Sequence, residues 1–86
     1  MKDKQFAALP LSVEKIIEIV RSVKPGAGDL ENCADLFEAG VIDSFGIIAL
    51  VFELNQAFGV NIGVLDLERT NFRTVASIHD LIKRLS

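Results

Sequence analysis

Eighty-six residues, half of them apolar, with six Phe, no Trp or Tyr, one Cys and a net charge of −3, describe one small domain, residues 1–86, with a mostly aliphatic core. The lone Cys33 excludes an intrachain disulfide framework, no leader-like n-region and cleavage site opens the chain, and no apolar run reaches spanning length, so a soluble, cytoplasmic protein that does not span a membrane is expected. Eight acidic residues and no Lys or Arg fall between Pro25 and Glu68, leaving −8 in the middle and +5 at the ends, where four acids face nine bases. Such a middle repels nucleic acid and attracts basic patches on protein partners.

In chain order, Met1 to Ala8 shows no pattern and reads as a flexible lead-in. Ser12 then precedes Val13, Ile16, Ile17, Val20 and Val23 at helical spacing, with Glu14 and Glu18 early and Arg21 and Lys24 late. That is a capped amphipathic helix whose charges suit its dipole. Lys24-Pro25-Gly26-Ala27-Gly28 ends it, because proline disfavours helical geometry in the residue before it.

Asp29 to Ile42 has no long periodicity, and a loop of that length in so small a domain needs a local turn or a function of its own. Leu36 and Phe37 are its expected anchors. Cys33 has no His or Lys neighbour in sequence to lower its pKa, so its role is read as structural or incidental. Gly40 can supply a backbone of positive φ, Val41 and Ile42 can tuck onto the core, and Asp43-Ser44 offers side chains favoured at a helix start. A helix start also has unpaired N–H groups that favour a phosphate.

Ser44 to Phe58 reads as the second long helix, closed by Gly59. One stripe, Ile47, Leu50, Val51, Leu54 and Phe58, faces the core; another, Phe45, Ile48, Ala49 and Phe52, runs down a second side. A helix apolar nearly all round is either wholly enclosed or meets a partner, and a domain this small cannot easily enclose it. Val60 to Leu67 lacks a second strand to pair with; Leu65 to Arg69 is expected to form a short helical turn over the core, with Phe72 as an anchor. Thr74 caps a last helix with Val75, Ile78, Leu81, Ile82 and Leu85 on one stripe, leaving His79 as a solvated residue beside Asp80. No carboxylate pair, metal-ligand cluster or Ser/His/Asp arrangement can be assembled, so no catalytic or metal-binding residues are assigned.

The order of long helix, long loop, Asp-Ser at the head of a second helix, short helix and final helix, over Ser12 to Leu85, resembles an acyl carrier protein. The signature is Leu36-Phe37-Glu38-Ala39-Gly40-Val41-Ile42-Asp43-Ser44-Phe45, similar to the family's attachment motif; Asp43-Ser44-Phe45-Gly46, with Leu67-Glu68-Arg69, Phe72 and Thr74, looks most like its D-alanyl carrier branch. The resemblance implies an all-α bundle of three long helices and one short, and a non-catalytic carrier. It implies that Ser44 receives 4′-phosphopantetheine from coenzyme A through a phosphopantetheinyl transferase, assisted by Asp43, and that the arm's thiol holds an acyl or aminoacyl thioester. Loading would fall to an adenylating ligase or other acyl-loading enzyme, and consumption to an acyltransferase or synthase. Fatty-acid carriers line the partner face of this helix with acids, whereas here it carries Gly46, Ala49, Phe52, Asn55 and Gln56 with Glu53 alone charged, and the candidate partner-binding residues are Phe45, Gly46, Ile48, Ala49, Phe52 and Glu53. Recognition should therefore be apolar and little screened by salt. Besides an aminoacyl carrier, a specialised polyketide or fatty acyl carrier and an unmodified helical adaptor binding through the Phe45 and Phe52 face remain open at this point.

Overall fold

A computed structural model describes residues 10–86; the lead-in expected at residues 1–8 lies outside the described residues. Three α-helices, α1 (Val13–Val23), α2 (Gly46–Phe58) and α3 (Val75–Leu85), are joined by the long loop and by two short 3-10 turns, Val64–Asp66 and Arg69–Phe72. Each helix ends where its local chemistry dictates. Ser12 Oγ accepts from the Lys15 N–H at 3.1 Å, and Thr74 Oγ1 accepts from the Ser77 N–H at 3.0 Å. Each thereby satisfies a donor that the helix leaves unpaired. Gly59 adopts φ 65°, a left-handed conformation open to glycine at no steric cost, and its N–H closes α2 on the Asn55 carbonyl at 3.0 Å.

Among the described residues the expected count of four helices is not reached: three are α-helices, and the place of the short one is taken by the two 3-10 turns. Between α2 and α3 the chain makes i+3 bonds, Asp66 N–H to Gly63 at 3.0 Å and Leu67 N–H to Val64 at 3.1 Å, instead of an α-helix. The Asn71 amide donates to the Asp66 carbonyl at 2.9 Å, occupying the acceptor that a continuing helix would give to residue 70. The Asp66 carboxylate turns back to accept from the Gly63 N–H at 3.0 Å. Leu65 does not lie over the core as expected but is 92% exposed, whereas Phe72 is fully buried. The preceding segment is tied down by a side chain, since Asn55 Oδ1 accepts from the Ile62 N–H at 2.8 Å.

The core joins Ile16 and Val20 of α1, Leu50, Leu54 and Phe58 of α2, and Ile78, Leu81 and Ile82 of α3. Leu30, Leu36, Val41 and Ile42 of the long loop enter it as well. Ile47 and Val51, expected in the core stripe of α2, are half-buried at its margin, as is Cys33. His79 is half-buried rather than solvated, and Leu85 lies exposed at the end of its stripe. Among the described residues all buried side chains are apolar, so stability here rests on area removed from water and on close packing.

Replacing a sealed aromatic leaves a cavity, whereas truncating an exposed leucine does not. Phe72→Ala should lower the free energy of unfolding by about 3–5 kcal/mol, and Leu65→Ala should change it by less than about 0.5 kcal/mol. Urea denaturation of both variants checks this, and equal losses would contradict the described packing.

Candidate functional site

The long loop builds its own scaffold before it reaches Ser44. Asp35 accepts the N–H groups of Phe37 at 2.9 Å and Glu38 at 3.1 Å, capping one helical turn. That turn closes with the Gly40 N–H on the Phe37 carbonyl at 3.0 Å and the Val41 N–H on the Leu36 carbonyl at 2.9 Å. With Gly40 at φ 77°, these paired bonds form a Schellman closure, and the buried Leu36 and Val41 supply its apolar contact. The Leu36 N–H also donates to the Arg73 carbonyl at 2.6 Å, fastening the turn to the chain just before α3. Arg69 and Arg73 approach the Asp35 carboxylate at 4.0 and 3.8 Å, and the Arg69 guanidinium lies 4.8 Å from the centre of the Phe37 ring. The Asp35 carboxyl is held below the usual range chiefly by the Glu38 N–H, with the Phe37 N–H and the two guanidinium groups adding to it.

Ile42 is buried, and the two residues after it, Asp43 and Ser44, are exposed. Asp43 Oδ1 accepts from the Phe45 N–H at 3.1 Å and from the Gly46 N–H, while the Asp43 carbonyl accepts from the Ile47 N–H at 3.0 Å. Asp43 is therefore the hydrogen-bonding cap of α2. Ser44 and Phe45 form a turn that leads into the regular helix at Gly46, two residues later than the sequence suggested. The expectation that open N–H groups here await a phosphate is also corrected. The Asp43 carboxylate already takes two of them. A Cβ at position 46 would sit 3.1 Å from Asp43 Oδ1, so glycine there leaves room for the cap to close.

Phe45, Ile48 and Phe52 are 87%, 65% and 61% exposed, so the outer stripe of α2 is not enclosed. Asp43, Phe45, Gly46, Ile48, Ala49, Phe52 and Glu53 line one open groove of about 680 Å³, and Ser44 does not line it but stands between two residues that do. Val23, Lys24 and Val41 complete it and were not anticipated as site residues. Lys24 had one legible signal: it is the last cation before the acidic span. Its arrival beside α2 depends on how α1 packs. The Asp43 carboxyl is lowered below the ordinary range chiefly by the Gly46 N–H, then by the Phe45 N–H, with the Lys24 ammonium contributing.

The family profile "Phosphopantetheine attachment site" matches residues 14–82. A D-alanyl carrier protein of Streptococcus uberis is 34% identical over 73 residues, 84% of this chain and 91% of that protein. A D-alanyl carrier protein of Streptococcus pyogenes is 35% identical over 51 residues, 59% of this chain and 65% of that protein. No solved structure matches significantly. The chain belongs to the phosphopantetheine-attachment family of acyl and aminoacyl carriers. It is a phosphopantetheine-dependent carrier protein, a non-catalytic tether whose prosthetic group is covalent 4′-phosphopantetheine, and its role implies a phosphopantetheinyl transferase and ligase or acyltransferase partners. Among the described residues no helix is long and apolar enough to cross a membrane.

The lowered carboxyl fixes a pH dependence. Because Asp43 titrates lower in the folded state, the cap stabilises fully above the unfolded carboxylate value of about 3.9 and is lost as pH falls through the folded value. Asp43→Asn keeps a capping side chain that does not titrate. Wild type should therefore lose stability relative to Asp43→Asn as pH falls below about 4; parallel denaturation midpoints across that range would contradict the cap.

Proposed function

We propose that Ser44 is the attachment residue of a single carrier domain, residues 1–86, that works in the cytoplasm on an activated amino acid or acyl group of the D-alanyl kind. The observation that carries this reading is an exposed serine whose hydroxyl bonds to none of the described residues, held outside the fold by the Asp43 cap and the buried Ile42. Such a hydroxyl fits a phosphodiester. The Ser44 Oγ–P bond forms as the pyrophosphate bond of coenzyme A breaks, adenosine 3′,5′-bisphosphate leaves, and the hydroxyl proton passes to a base on the transferase. The attached arm supplies a thiol that carries the cargo as a thioester. Asp43, ionised and beside the nucleophile, is placed to assist the transferase's metal and phosphate chemistry.

The D-alanyl carrier proteins among the relatives favour an aminoacyl cargo over a polyketide one. The outer face of α2 suits docking by an adenylating ligase and then by an acyltransferase. Its contact residues are Phe45, Gly46, Ile48, Ala49 and Phe52, with Glu53 at the edge. Burial of those apolar groups supplies affinity that salt screens little.

Incubation with coenzyme A and a broad-specificity phosphopantetheinyl transferase should add one arm to the intact mass, and Ser44→Ala should abolish the gain. Once modified, Phe52→Ala should lower loading of D-alanine by the ligase roughly tenfold, as truncation of an aromatic anchor does. Glu53→Gln should change it less than about twofold, as expected of an exposed charge. Wild-type loading of Phe52→Ala would contradict the docking face; an unchanged mass would contradict attachment.

A further inference from the structure

We infer that in the free, modified carrier the groove between the end of α1 and the outer face of α2 is the resting berth of the arm. Lys24 pairs with the phosphodiester, and Val23, Phe45 and Phe52 receive the apolar pantoyl end. This rests on attachment at Ser44.

Three observations converge on it. The first is charge. The N–H groups that open α2 are taken by Asp43, so they are not left to neutralise a phosphodiester. No Lys or Arg occurs from Pro25 to Glu68, yet packing of α1 brings Lys24 into the same groove as Asp43 and Phe45, the two neighbours of Ser44. Among the described residues Lys24 is the one cation lining that groove, which it shares with the carboxylates of Asp43 and Glu53, the first of which is already engaged by backbone donors.

The second is space. At about 680 Å³ the groove lies within the roughly 300–1,000 Å³ typical of sites for drug-sized ligands. The third is the order of chemistry along it. Asp43, whose carboxyl feels the Lys24 charge, adjoins Ser44, and the apolar Ala49 and Phe52 lie further along α2. A phosphopantetheine arm runs in the same sense, from its charged phosphate to its gem-dimethyl group.

The berth overlaps the face assigned to partners, and this gives it a consequence. A partner that covers Phe45 and Phe52 displaces the arm and frees its thiol for delivery. Lys24 is exposed, so its pairing is screened by salt and readily given up.

Isotope-filtered nuclear Overhauser spectra of the holo protein test the berth, using a labelled chain with an unlabelled arm transferred from coenzyme A and intact mass to confirm attachment. Cross-peaks from the gem-dimethyl protons to Val23 and Phe52 are expected at low salt. They should weaken toward roughly 1 M salt, where the Debye length is about 3 Å. They should be lost in Lys24→Glu and kept in Lys24→Arg. A confirmed arm with no cross-peaks to these residues, or cross-peaks indifferent to Lys24→Glu, overturns the berth and leaves attachment standing. An unchanged mass overturns both.

Discussion

The Asp43 carboxylate accepts the Phe45 and Gly46 N–H groups, and the placement of Ser44 follows from that cap. A helix start must dispose of its unpaired donors, and a side-chain acceptor does so only if the backbone turns at the residue that carries it. Ile42 is buried on one side of the cap and Leu50 on the other. The chain between them is therefore held at both ends, with Ser44 facing solvent. The Schellman closure at Gly40 and the bond from Leu36 to Arg73 fix the approach to this point, so a loop that looks unstructured in sequence delivers Ser44 along a defined path.

The same cap sets the electrostatics of the site. A carboxylate satisfied by backbone donors remains charged beside the serine, and it removes those donors from service as an anion cradle. In the proposed attachment at Ser44, a phosphate next to it would rely on solvent and on Lys24. A loosely held arm is what a tether requires, since its cargo must leave the carrier to reach an enzyme. The apolar outer stripe of α2 is the counterpart of that looseness. Small domains have few residues to spare for the core, and this one leaves Phe45, Ile48 and Phe52 outside it.

Much of this was legible in the sequence because it depends on single residue types at single places. Ser12 and Thr74 as caps, Gly40 and Gly59 as left-handed residues, and Phe72 as an anchor need only local chemistry. The two apolar stripes of α2 were legible from spacing alone. What was not legible depends on choices between neighbours or on tertiary packing. Asp43 and Ser44 can each cap a helix, and the room left by Gly46 accommodates the aspartate that does so. The short helical turn expected at Leu65 to Arg69 is split into two 3-10 turns, with the Asn71 amide on the Asp66 carbonyl, a competition that apolar periodicity does not encode. Lys24 read as the basic end of α1, and only the packing of α1 against α2 makes it part of the site.

If the exposed Ser44 hydroxyl is the one that is esterified, as proposed, peptide-level mass spectrometry of transferase-treated protein will locate the arm there. Five serines compete in principle: Ser12, Ser22, Ser44, Ser77 and Ser86. The phosphopantetheine mass is expected on the fragment containing Ser44 and on no other. An arm localised to any of the other four, or a Ser44 fragment that stays unmodified, would contradict it.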